Sequence, residues 1–197
     1  MMTPKEKIIN FLRQRVEVTD AEAELFSEPF QEKKLRKKQI VIQPDFVTQH
    51  RYYILDGALR SFINTNEGQE VTIALAVEDW WITDYNSYIF QQPATLFVEA
   101  ISKSTVLQLS YDSEQVLKQS NPKFETFFRI MAERGLASQQ RRLITNLTQS
   151  AEKRYHLFLQ QYPKFVDLIP QYIIASYLGM STEFLSKIRN NRVKKKS

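Results

Sequence analysis

Cysteine is absent from the 197 residues, glycine occurs four times and histidine twice. Without thiols there is no disulfide, no thiolate nucleophile, no iron-sulfur cluster and no thiolate zinc site. So few glycines leave no glycine-rich phosphate loop, and two histidines give little from which to build a catalytic or metal centre. Long apolar runs are missing as well. Hydrophobic residues make up 43% of the chain but are everywhere interrupted, so no segment is expected to span a bilayer. Lys5, Glu6, Lys7 and Arg13 break the first apolar stretch, unlike a signal peptide. These absences predict a cytoplasmic globular protein that is not an enzyme, with room for one large domain or two modest ones.

What is present is most specific in residues 169–191, IPQYIIASYLGMSTEFLSKIRNN. Pro170 suits the first turn of a helix that carries Ile174 and Leu178 on one face. Gly179 supplies a left-handed terminator, and Ser181 is a good N-cap for a second helix. Leu185 and Ile188 would turn inward to meet Ile174 and Leu178, with small Ala175 at the crossing. This is the pattern of a helix-turn-helix, although a helical hairpin in a core has the same spacing. Thr182, Glu183, Ser186, Lys187 and Asn190 are left facing outward, a set able to read base edges and phosphates. Six basic residues and no acidic one lie from Lys187 to the end, more than the whole net charge of +5. Arg192, Lys194, Lys195 and Lys196 among them form a tail where phosphates would be met, or else a solvated terminus.

Upstream, Thr3 with Glu6 and Thr19 with Glu22 read as capping boxes of two helices, the first carrying Ile8, Ile9, Leu12 and Val16 and the second ending near Phe26. From Phe30 the period changes to short β-branched or aromatic runs at 40–42, 52–55, 59–63, 71–75, 96–100 and 105–110. Turn chemistry such as Asp56-Gly57 separates them, which predicts an antiparallel sandwich or jelly-roll barrel. The basic cluster 33–38, KKLRKK, reads as a charged edge that discourages strand pairing. Trp80 and Trp81 should face opposite sides, one in the core and the other free to border a pocket. Asn121-Pro122 opens a long helix. Phe124, Phe127, Phe128 and Met131 form its first apolar face, while Leu136, Leu143 and Leu147, with Ile130, Ala137 and Ile144, form later ones. Such a helix would first cover the barrel and then meet a partner helix. Ser150 caps a further helix whose Tyr155, Leu157, Phe158 and Leu159 would pack under the helix-turn-helix.

Helix, barrel, long helix and helix-turn-helix, in that order, resemble the Crp/Fnr family of bacterial transcription regulators. The resemblance rests on IIASYLGMSTEFLSKI, with support from YYILDGALR, VEDWWITDY and PATLFVEA. It implies an α+β fold: an N-terminal antiparallel β jelly-roll, cyclic-nucleotide-binding-like, over residues 1–120, a long dimerisation helix over 121–148, and a helical DNA-binding domain over 149–197. It also implies a homodimer that binds DNA and works with RNA polymerase. By that similarity Ser181 is a phosphate contact, and Thr182, Glu183 and Lys187 are base-reading positions. The family's ligand pocket would fall at Trp81, Thr83, Asp84, Tyr85, Ala94 and Thr95.

Two departures bear on function. Members that bind cyclic AMP have a glycine-glutamate pair and, further on, an arginine; the matching positions are Thr83-Asp84 and Ala94-Thr95. Asp84 keeps a carboxylate able to hold a ribose hydroxyl, but no cation faces the phosphate. Losing that charge-assisted pair weakens binding by about 2 kcal/mol or more. Cyclic AMP is therefore not expected as a tight ligand, the effector is unknown, and His50 and His156 give weak grounds for haem. The family also usually continues into a β-hairpin wing, for which the basic tail would partly substitute. The reading is a dimeric, sequence-specific DNA-binding transcription regulator. Its alternative is a small-molecule sensor that acts through a protein partner without specific DNA binding.

Overall fold

The computed structural model describes residues 2–163 and 166–194, with side chains as far as Asn191. Helices α1 (Pro4–Arg13) and α2 (Asp20–Ser27) open on the two predicted capping boxes. Thr3 Oγ1 accepts the Glu6 N–H at 3.2 Å while Glu6 accepts the Thr3 N–H at 2.6 Å, and Thr19 and Glu22 repeat the exchange. Val16 lies past the end of α1 but still packs against its cluster.

Eight strands follow, β1 (Gln31–Leu35), β2 (Ile40–Ile42), β3 (His50–Asp56), β4 (Ala58–Asn64), β5 (Glu70–Val77), β6 (Trp81–Ile82), β7 (Phe97–Ala100) and β8 (Ser104–Ser110). They form two antiparallel sheets of order β1-β8-β3-β6 and β2-β7-β4-β5. Successive strands change sheet at every step except from β4 to β5, which is how a jelly roll wraps two sheets round one core. Leu35, Ile42, Tyr52, Ile54, Leu59, Ile82, Val98 and Val106 fill that core. The alternate residues Tyr53, Leu55, Leu107 and Leu109 face the other way, into helices, so β3 is buried on both faces. The KKLRKK cluster supplies the end of β1, an edge strand bonded to β8, and the turn into β2. Between β3 and β4, Gly57 sits at φ +88, and a Cβ there would come within 2.3 Å of Ser104 Oγ.

Two short helices and two strands escaped the sequence reading: β6, α3 (Tyr85–Phe90), α4 (Tyr111–Ser120) and β1, whose lysines do not prevent its pairing with β8. The long helix α5 runs over Pro122–Thr148, about 40 Å. Its first half buries Phe124, Phe127 and Phe128 against Phe26 and Phe11, with ring centroids 5.1–6.0 Å apart. Its second half touches the rest of the chain through Arg142 but leaves its leucines bare, with Leu136 72% and Leu147 77% exposed. Helices α6 (Ala151–Gln161), α7 (Gln171–Tyr177) and α8 (Thr182–Lys194) share one apolar cluster with Ala58, Val77 and Ile101 on the outer side of the β4-β5 sheet.

Candidate nucleic-acid interface and sensor cassette

The unit made by α7 and α8 closes as its spacing predicts. Ile174, Ala175, Leu178, Leu185 and Ile188 are all buried in one cluster. Pro170 stands at the N-cap position, one residue before the first turn. The chain leaves α7 through Gly179 at φ +64, and the Met180 N–H returns to Ala175 O at 3.0 Å. No atom crowds a Cβ at Gly179, so the left-handed backbone alone calls for glycine. Ser181 Oγ accepts the Phe184 N–H at 3.2 Å and caps α8.

Ser181, Glu183, Lys187 and Asn190 are exposed on the outer side of α8, and Thr182 and Ser186 are half-buried. A hydrogen bond from its own backbone amide, then the Ser181 hydroxyl, holds the Glu183 carboxyl below its ordinary range, so at neutral pH it is an acceptor only. The side chains of Arg192 and Lys194, and the whole of Lys195 and Lys196, lie outside the described residues. The reading missed Phe184, 47% exposed beside Glu183. Its position was available from helical spacing, because Leu185 and Ile188 fix the inward face. A second cation also went unnoticed: the Arg154 guanidinium donates to Asn146 O, Gln149 O and Gly179 O at 3.2–3.4 Å, tying the end of α5 to the helix-turn-helix turn.

The six residues read as a ligand pocket are placed on different faces of the barrel. Trp81 belongs to the helical side of the sheet, packed on Tyr53 at 5.4 Å and near Phe11 and Phe30, because its strand partner Tyr53 shares that face. Thr83 donates its hydroxyl to His50 O at 3.0 Å, and the Tyr85 hydroxyl accepts from Arg51 at 3.1 Å. Ala94 is buried in the barrel core. Asp84 and Thr95 do meet, but through each other. The Asp84 carboxylate accepts the N–H of Ser87 at 3.1 Å, of Thr95 at 2.8 Å and of Leu96 at 3.2 Å, with the Thr95 hydroxyl at 3.4 Å. A carboxylate has about four acceptor positions, and this one is 1% exposed. Oδ2 takes three of these bonds and Oδ1 the one from Ser87, so the carboxylate expected to face a ribose hydroxyl is turned to the backbone of its own loop. A cavity of about 580 Å³ lies against α1 and α2 and another of about 350 Å³ between β2 and the start of β3; neither is lined by Asp84, Ala94 or Thr95.

Beneath α3 lies a buried ion pair that no local pattern announced. Arg51 Nη1 donates to Glu114 Oε2 at 2.9 Å; the two residues are 5% and 2% exposed. The Tyr88 hydroxyl donates to the same oxygen at 3.0 Å, and Lys118 pairs with the other at 2.8 Å. Burial works against the Arg51 charge, but Tyr85, Glu114 and Tyr88 outweigh it and leave its pKa raised. Burial, followed by Glu114, pushes the Tyr88 hydroxyl well above the usual range, so it stays a donor. The Arg51 guanidinium also lies 5.5 Å from the Phe128 ring, which links α3 and α4 to α5.

Among the described residues, no helix is long and apolar enough to cross a membrane, and no three acidic, histidine or cysteine side chains are grouped to hold a metal ion. No family model and no curated protein matches the sequence. Solved structures do match. FixK2 from Bradyrhizobium japonicum is 17% identical with a TM-score of 0.74, over 84% of this chain and 85% of that one. CLP from Xanthomonas campestris, described as a c-di-GMP responsive global regulator, is 14% identical with a TM-score of 0.70, over 90% and 93%. A CooA variant from Carboxydothermus hydrogenoformans is 19% identical with a TM-score of 0.65, over 98% and 86%. At such identities the likeness is one of architecture: barrel, long helix and C-terminal helical unit together make the Crp/Fnr-type fold.

Proposed function

We propose that the chain is a dimeric, sequence-specific DNA-binding transcription regulator of the cytoplasm, working with RNA polymerase. The observation that carries this is the α7-α8 unit: its inner face is fully closed by apolar residues, while the outer face of α8 offers Glu183, Lys187 and Asn190 to solvent. In a major groove, Glu183 would accept from a cytosine amino group and Lys187 would donate to guanine, each worth about 1–3 kcal/mol of discrimination. Ser181 and the tail residues Arg192, Lys194, Lys195 and Lys196 would meet phosphates, a contribution that weakens with salt. Dimerisation is supported by the apolar face left bare on the second half of α5, where Leu136, Leu143, Ile144 and Leu147 are 54–77% exposed. Two recognition helices related by that axis call for half-sites about one helical turn apart.

The barrel is proposed not to take cyclic AMP in the usual way, and the same reasoning extends to the cyclic dinucleotide named for CLP. The amides of Ser87, Thr95 and Leu96 already bond to Asp84, and Ala94 brings no cation. Titration against a duplex library tests the main reading. Glu183→Ala with Lys187→Ala should lose preference at two positions while keeping non-specific affinity. An unchanged preference would remove their assigned roles.

A further inference from the structure

Strand β5 ends its sheet, bonded to β4 on one side, so its other edge presents free N–H and C=O groups. Near its start the register with β4 slips: Phe62 faces Thr72 and Ser61 faces Ala74, which leaves Ile73 as the extra residue of a bulge. Side chains from two helices cover this stretch. From the last turn of α7, Ser176 Oγ accepts the Thr72 N–H at 2.8 Å and donates to Glu70 O at 3.1 Å, as a neighbouring strand would. From α5, the Arg142 guanidinium donates to Ile73 O, to Thr72 O at 3.4 Å and to Tyr177 O at 3.1 Å, and it stacks 4.1 Å from the Tyr177 ring. Tyr177 ends α7, so Arg142 holds one of that helix's unsatisfied terminal carbonyls together with the bulge.

Barrel edge, dimerisation helix and helix-turn-helix therefore meet at one guanidinium and one hydroxyl. The apolar cluster shared by α6, α7, α8 and the barrel is non-directional, and on its own would let the helical unit rotate or slide at small cost. Hydrogen bonds to particular carbonyls, one of them displaced by a bulge, select a single register. Since α8 is packed onto α7 through Leu185 and Ile188, the position of the recognition helix relative to α5 follows from this clasp. We infer that Arg142 and Ser176 are positioning residues that fix the half-site spacing the dimer accepts, a statement that rests on the DNA-binding reading above.

The test uses the full-length dimer and duplexes whose two half-sites are separated by the preferred spacer or by one longer or shorter by one and two base pairs. Each added pair turns one half-site by about 34° and moves it by about 3.4 Å. The wild-type chain should lose about tenfold or more in affinity per step, because both recognition helices no longer engage together. Arg142→Gln with Ser176→Ala should flatten the series to within about threefold while binding a single half-site as tightly as the wild type. Ser176→Thr, which keeps the hydroxyl, should keep the steep profile. A double variant as steep as the wild type overturns the inference and leaves DNA binding intact, whereas a wild-type chain that binds no duplex overturns the DNA-binding reading and the inference with it. If the double variant does not fold, Ser176→Ala alone carries the test, read also by amide hydrogen exchange at Thr72. Protection lost in Ser176→Ala and kept in Ser176→Thr supports the clasp; equal protection in the two overturns it.

Discussion

Replacing Asp84 by asparagine alters one atom of a buried carboxylate and almost nothing of its shape, which makes it a sharp probe of the cassette it closes, residues 84–96. One oxygen receives the Ser87 N–H at 3.1 Å, and the other receives those of Thr95 at 2.8 Å and Leu96 at 3.2 Å. The amide of asparagine can turn its oxygen to one side only, so its NH₂ must face amide donors on the other. If the oxygen goes to Thr95 and Leu96, the Ser87 N–H, in a residue with no exposure, loses its acceptor. Thr95 is exposed and Leu96 half-exposed, so water can relieve those two amides but not Ser87. A buried donor without a partner costs about 1–3 kcal/mol, and bonds to a charged acceptor are worth about 1.5–3 kcal/mol each. The expected loss for Asp84→Asn is therefore about 2–4 kcal/mol. In a chain of this length that corresponds to a fall in Tm of about 4–16 °C. Calorimetry with a parallel urea titration measures it. A variant that melts within about 1 °C of the wild type would show that the carboxylate does not hold the cassette shut, and the argument against a nucleotide there would fall with it.

Three further outcomes follow from the same geometry. Glu114→Gln leaves Arg51 buried without its counter-charge and should cost about 3–5 kcal/mol, while Arg51→Met with Glu114→Leu should recover most of it; equal losses in the two, measured by urea denaturation, would contradict the pairing. Leu136→Glu, Leu143→Glu and Leu147→Glu together place charge on the bare face of α5, and sedimentation should show monomers with affinity for a two-site duplex reduced by about 100-fold or more; a persisting dimer would move the interface elsewhere. Glu22 is held at about 2, against an ordinary 4.5, first by Lys123 and then by the Thr19 backbone. The unfolded chain thus binds more protons there, so this contribution is complete above pH 4.5 and is lost as pH falls toward 2. Glu22→Gln should flatten the acid limb of the stability profile, and an unaltered limb would assign it to other carboxylates.

Local signals carried most of the fold. A cap works across three residues, so Thr3 with Glu6, Thr19 with Glu22, and Ser150 and Ser181 with the amides they bond were readable from spacing. Strands with alternating or β-branched runs were equally visible. What escaped were elements too short for a period, such as the two residues of β6 and the six of α3. Ser110 caps α4 with the same local signature, its hydroxyl accepting the Ser113 N–H. Trp80 and Trp81 do diverge, with Trp80 against Tyr162 and Trp81 against Tyr53, but which face meets a helix is decided by α1 and α5, far away in the chain.

The site was less legible than the fold for a definite reason. Base-reading candidates lie on one helix face, and a face is a matter of spacing. The contacts that set the state of the cassette and the stance of the helix-turn-helix join side chains to backbone atoms, often across long separations: Arg142 reaches Thr72, and Ser176 reaches Glu70. A backbone amide has no residue identity, so nothing in the sequence at Thr95 or Leu96 marks it as the partner of Asp84. Read by position, that carboxylate is a candidate to hold a ligand's hydroxyl. Surrounded by three amides and a hydroxyl, it is held as the anion of its own site, by partners that only the folded backbone brings to it.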